Sequence, residues 1–241
     1  MSNIKSKLTK KSYLIYGMGV SYFMLDQLYN QWLTYYYLPP ETEKSLTPLL
    51  KPGFLILAFV IARIIDAISD PLIGYLSDNS KSKFGKRSFF MMIGGIPLGI
   101  LMIMYFYPPK HSQMATLIYL SIVGGFFWIS YTLVGGPYNA LIPDLSNTKE
   151  ERLNLSTVQS VFRLIFTGIA LIIPGILIDM LGNGNSEIGI RKTVIILTIF
   201  ALIGIYICVF GLREKELVTE KVENKKLNFI ARYDALTSLL N

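Results

Sequence analysis

The chain has 241 residues, of which 52% are hydrophobic and only 16% charged, and its net charge at pH 7 is +7. A soluble domain carries about 25% charged residues, so there is too little polar surface here for a water-soluble body, which excludes a soluble enzyme, a disulfide scaffold and a disordered tail. A single Cys (Cys208) excludes an internal disulfide and a thiolate metal site, and a single His (His111) leaves almost no material for a histidine metal site or a Ser-His-Asp triad.

A bilayer core about 30 Å thick is spanned by about 20 apolar residues in a helix. Six such runs are predicted, at residues 13–38, 49–76, 89–107, 114–142, 158–181 and 193–212. They are continuous rather than alternating, which favours helices over a β-barrel. The start, MSNIKSKLTKKSYLIYGMG, has no small-residue cleavage site and is not expected to be a removable signal peptide.

The first span is polar in its middle, with Asp26, Gln27, Asn30 and Gln31. Asp26 and Asn30 either line an aqueous cavity that binds a polar solute or join helices by hydrogen bonds. Tyr35, Tyr36 and Tyr37 suit an interfacial aromatic belt. The second span holds Arg63, Asp66 and Asp70 one helical turn apart, on one face. Two carboxylates at that spacing repel each other unless one is protonated or a cation sits between them. The pair is therefore either a site for Na⁺, Li⁺ or H⁺, or an ion-pair cluster that holds helices together. A hard cation takes oxygen ligands, which hydroxyls such as Ser69 and Thr132 can complete. Pro71 removes the N–H that would bond the Ala67 carbonyl, making that carbonyl a further candidate ligand.

Long loops are predicted at residues 77–88 and 143–157. In the fourth span Trp128, Tyr131 and Asn139 either contact a sugar-like solute or serve packing. In the fifth, Arg163 either faces a cavity or snorkels to the interface, and Asp179 is expected at the opposite interface. Residues 213–241 form a charge-alternating tail that ends in an amphipathic stretch. Sixteen Lys and Arg residues fall on the side of the termini and five on the other, so both termini are expected in the cytoplasm of a multi-pass plasma-membrane protein surrounded by lipid.

The segment ARIIDAISDPLIGYLSDNSKSKFGKRSFF resembles the second helix and following loop of the glycoside–pentoside–hexuronide:cation symporters, a group within the major facilitator superfamily. GGPYNALIPDLSNTKEERLNLS resembles a second pattern of that group, after its fourth helix. The resemblance implies an all-α membrane fold: residues 1–212 as the N-terminal six-helix half of a twelve-helix transporter, with a 3+3 repeat, and residues 213–241 as the start of the central loop. It implies cation-binding roles for Asp66, Asp70, Thr132 and Ser69. It places Gly74, Asp78, Gly85, Lys86 and Arg87 in a cytoplasmic latch. For the substrate, Asp26, Asn30, Arg63, Trp128, Tyr131 and Asn139 are the candidates. The family's own sugar residues are largely missing, with Phe23, Gly135 and Ser160 at three of their positions.

These observations imply a cation-coupled symporter of a sugar or related small polar solute. It would be no enzyme, would carry no cofactor beyond the transported cation, and would bind no nucleic acid. A C-terminal six-helix half or a second copy is the expected partner. An inactive remnant, a non-transporting membrane scaffold, or a carrier of a non-sugar solute such as a lipid would also fit the residues.

Overall fold

The computed structural model of the chain describes residues 8–212, 214, 216–219, 222, 223, 226 and 229. The amphipathic stretch expected at the end of the tail lies outside the described residues. Among them every regular element is helical. The first traverse is a rod of short pieces: α1 (Lys10–Met18), a 3₁₀ turn (Gly19–Ser21), α2 (Tyr22–Leu28), a π segment (Tyr29–Leu33) and α3 (Thr34–Tyr37). At 1.5 Å per residue it is about 40 Å long, enough to cross a bilayer. Five continuous helices follow, each long and apolar enough to cross: α4 (Pro52–Asp78), α5 (Lys86–Met104), α6 (Gln113–Leu145), α7 (Lys149–Gly182) and α8 (Ser186–Gly211).

One expectation is corrected by a connection. The predicted loop at 143–157 shrinks to residues 146–148, because α6 runs to Leu145 and α7 starts at Lys149. A capping box sets that start: the Glu151 amide donates to Thr148 Oγ1 at 3.1 Å, and Glu151 Oε2 accepts from the Thr148 amide at 3.3 Å. Pro71 does not interrupt α4, which continues through it to Asp78.

Close approaches fix the direction of the traverses. A Cβ on Gly19 would collide with Cys208 and Tyr138, and one on Gly211 would touch Ile15. At the other end Arg191 donates to the Tyr36 hydroxyl at 2.8 Å, and Tyr37 donates to the Tyr105 carbonyl at 2.8 Å. The start of α1 and the end of α8 therefore share one face, called here the N-terminal face. Among the described residues six traverses run between the two faces.

The packing carries a repeat. α6 packs on α4 and α5, the first rod packs on α7 and α8, and α5 packs on α8. Exchanging the first three traverses for the last three maps this set onto itself, with consecutive elements running in opposite directions. Burial follows the same exchange: 22% of the apolar window is buried in both α4 and α7, and 44% in both α5 and α8. α4 and α7 are thus the two flanks of one wall. Aromatic rings fill the centre. Tyr16 and Tyr138 stack at 4.8 Å, and Tyr29 meets Tyr105, Phe127 and Trp128. Tyr138 donates to the Tyr16 carbonyl at 3.0 Å, as a polar group needs where no water reaches.

Candidate functional site

A cleft of about 540 Å³ opens between α2, α4, α6 and α7 and runs from mid-membrane level to the N-terminal face. α4 contributes Arg63, Asp66, Asp70, Gly74, Ser77 and Asp78, and α6 contributes Trp128, Tyr131, Thr132 and Asn139. The spacing read along the second span does put its three charges on this face, because one turn separates each from the next.

The two carboxylates meet a single hydroxyl. Thr132 Oγ1 lies 2.6 Å from Asp70 Oδ1 and 3.3 Å from Asp66 Oδ1. It carries one proton, so it donates to the nearer oxygen and leaves a lone pair toward the gap between the acids. Arg63 donates to Asp66 Oδ2 at 3.3 Å and stands 3.6 Å over the Trp128 ring. Two acids, one guanidinium and a bridging hydroxyl leave one uncompensated negative charge, which a monovalent cation would neutralise. Trp128 is 3% exposed, and its indole Nε1 is buried without a hydrogen-bond partner.

Three of the residues singled out from the sequence stand apart. Ser69 does not line the cleft: its hydroxyl turns back onto the Asp66 carbonyl at 3.0 Å. Asp26 and Asn30 are also outside it. They bond each other, with Asn30 Nδ2 donating to Asp26 Oδ1 at 3.0 Å and to the Asp26 carbonyl at 2.9 Å. The first rod instead presents Tyr22 and Phe23 to the cleft. Arg163 lines the cleft, 4.5 Å over the Phe23 ring, so the cavity orientation holds over the snorkelling one. Asn139 accepts from Gln159 Nε2 at 2.7 Å.

At the N-terminal face the basic loop forms one ionic cluster. Arg87 contacts Asp78 at 2.5 Å, Asp144 at 2.9 Å and Ser77 Oγ at 2.6 Å, and Lys86 adds Asp144 at 3.3 Å. The ends of α4, α5 and α6 are tied through one side chain. Gly74 has open space around it. Gly85 sits at φ +108, where a Cβ would be strained and would strike the Glu214 carboxylate.

Glu214 was not foreseen. It is 1% exposed and accepts from the Arg87 and Ser88 amides, at 3.0 Å and 2.6 Å, at the start of α5. A carboxylate there satisfies two orphan donors and the positive end of the helix. No nearby residue signals it, since its partners lie more than 120 positions away.

The profile of the MFS/sugar transport protein family matches residues 11–241. Among curated relatives, the inner membrane symporter YicJ of Escherichia coli (strain K12) is 27% identical over 86% of this chain and 44% of its own length. The isoprimeverose transporter of Lactiplantibacillus pentosus is 24% identical over 70% of the chain and 35% of its own length. The lactose permease of Leuconostoc lactis is 23% identical over 72% and 29%. The chain spans less than half the length of these relatives.

Proposed function

The chain belongs to the MFS/sugar transport protein family, and on that premise we propose that it forms the N-terminal six-helix half of a cation-coupled symporter for a sugar or related small polar solute. The observation that carries the reading is the Asp66–Thr132–Asp70 bridge in an open cleft. Relatives named as a symporter, an isoprimeverose transporter and a lactose permease support the solute class.

A Na⁺, Li⁺ or H⁺ at Asp66 and Asp70 cancels the excess negative charge. Arg63 is then freed from offsetting it and turns its donors to solute hydroxyls. Trp128 and Tyr131 offer ring faces to the sugar's C–H surface, and Asn139 offers an amide. Cation and solute each raise the other's affinity, a coupling that is reciprocal by thermodynamic necessity. Transport proceeds by alternating access, as two halves rock about the shared site. The cluster of Asp78, Lys86, Arg87 and Asp144 ties the ends of α4, α5 and α6 and acts as a latch that stabilises one state of the cycle. The Lys and Arg excess supports a cytoplasmic position for that face.

Asp66→Asn and Asp70→Asn, made in the complete transporter, test this. Each is expected to abolish cation-stimulated uptake in membrane vesicles while leaving cation-independent solute binding within a few fold. Normal cation stimulation in both variants would make the pair a structural cluster and overturn the proposal.

A further inference from the structure

A second cleft, of about 370 Å³, lies near the opposite face between the first rod and α7, lined by Gln31, Trp32, Tyr35, Glu43, Asp179 and Ser186, among others. The repeat that exchanges the first three traverses for the last three carries the pairing of α4 with α6 onto that of α7 with the first rod. The first cleft opens toward the N-terminal face between one pair, and the second opens toward the opposite face between the other.

The chemistry repeats with the geometry. Trp32 and Tyr35 have the same three-residue spacing as Trp128 and Tyr131. Both pairs meet edge to face, at 5.6 Å and 76° in the second cleft and at 5.2 Å and 65° in the first. Both indole Nε1 atoms are buried without a hydrogen-bond partner, and a buried donor left unpaired costs about 1–3 kcal/mol. Trp32 and Gln31 also belong to the π segment Tyr29–Leu33. A π turn gives up regular helix geometry and recurs at functional sites.

We propose that this second cleft is a binding site for a neutral, hydroxyl-rich solute, a loading or exit station for the solute of the first cleft. The inference rests on the glycoside reading above. Trp32 supplies a ring face and the unpaired donor, Gln31 an amide, and Asp179 a carboxylate that no described residue hydrogen-bonds. Glu43 is occupied as scaffold: it accepts from the Ser45 amide at 2.9 Å, the Ser45 hydroxyl at 2.5 Å, the Tyr35 hydroxyl at 2.9 Å and the Ser186 hydroxyl at 3.0 Å. Two carboxylates and no lining cation repel an anionic solute.

The chain has two tryptophans, one in each cleft, so each can be made the sole reporter. In the 241-residue chain in nanodiscs, Trp128→Phe leaves Trp32 and Trp32→Phe leaves Trp128. Acrylamide quenching is measured with isoprimeverose, lactose, methyl β-xyloside or the anion glucuronate present. We expect at least one neutral sugar to lower quenching of Trp32 about twofold, and glucuronate not to. Adding Asp179→Ala, or Gly175→Leu, which grows into open space at the cleft wall, should abolish that protection and leave the protection of Trp128 intact. Protection of Trp128 but not Trp32 overturns the second site and leaves the glycoside reading standing. Protection of Trp32 that survives both added substitutions also overturns it. Protection of neither tryptophan overturns the second site, and uptake of the same sugars by the complete transporter then decides the glycoside reading.

Discussion

The Thr132 hydroxyl is where a single atom carries most of the argument. It stands between two carboxylates on a neighbouring helix, and a hydrogen bond to a charged group is worth about 1.5–3 kcal/mol. Thr132→Val keeps the shape and removes the oxygen. The half-saturating cation concentration for uptake by the complete transporter should rise about tenfold or more, and Thr132→Ser should recover most of the loss. An unchanged cation dependence in Thr132→Val would remove the hydroxyl from the ion site. A second residue-scale expectation concerns pH. Donation from the Ser45 hydroxyl and amide, then from Tyr35, holds the Glu43 carboxyl down at about 2. A carboxylate lowered on folding adds stability that is complete above the ordinary carboxylate range and is lost as pH falls from about 5 toward 2. The thermal unfolding midpoint should therefore fall more steeply over that window in the native chain than in Glu43→Gln. Parallel curves would show that the loop clasp contributes nothing.

Helix contacts set the expectations at the scale of elements. The first rod lies against α8 through Gly204, where a Cβ would collide with Ser21 Oγ and stand 2.9 Å from the Met18 carbonyl. The Ser21 hydroxyl meanwhile donates to the Ala201 carbonyl at 2.7 Å. Small residues permit such approaches in membranes, where packing and hydrogen bonds replace the hydrophobic drive. Gly204→Val should cost about 1–3 kcal/mol by overpacking. Gly168→Ala, in α7 with open space around it, should be neutral or stabilise by about 0.5–1 kcal/mol. Unfolding midpoints in detergent check both, and equal effects would deny the close approach. The elements themselves were legible in the sequence to different degrees. Apolar run length located all six traverses, because hydrocarbon thickness leaves few alternatives. The same measure missed the first turns of α7, which are polar and begin at a capping box, Thr148 and Glu151, visible in the sequence but outside the apolar run. It also missed the rod's segmentation. Asp26 and Asn30 share one face of the rod, but their spacing did not tell that they bond each other rather than line the cleft, as Tyr22 and Phe23 do. Arg63, Asp66 and Asp70 were legible because α4 is regular there. Thr132 and Glu214 find their partners only through tertiary contact, and of the two only Thr132 was foreseen, through a family pattern.

For the molecule as a whole, the question is what covers the wall formed by α4 and α7. Both flanks are only 22% buried over their apolar windows. Their exposed surface mixes Leu72, Leu164 and Ile172 with Arg63 and Asp70, which are also exposed. Apolar side chains are content in lipid. A charge at the bilayer centre costs about 2.5–3.5 kcal/mol on insertion scales, so Arg63 and Asp70 favour burial against protein or an aqueous cavity over hydrocarbon. A cleft with one wall also cannot alternate its access, since the movement needs a second body to rock against. Relatives of about twice this length or more fit that requirement. The 241 residues alone, purified into liposomes, are therefore expected to show no cation-driven uptake and to self-associate or aggregate within hours of leaving the membrane. Co-expression with a matching C-terminal six-helix half should yield a one-to-one complex, raise the unfolding midpoint and restore uptake together, because one buried surface underlies all three. Multi-angle light scattering and solute flux measured on the same preparation decide the matter. Sustained cation-driven uptake by a demonstrated monomer of this chain would show that six helices build both walls of the site, and the half-transporter argument would fall.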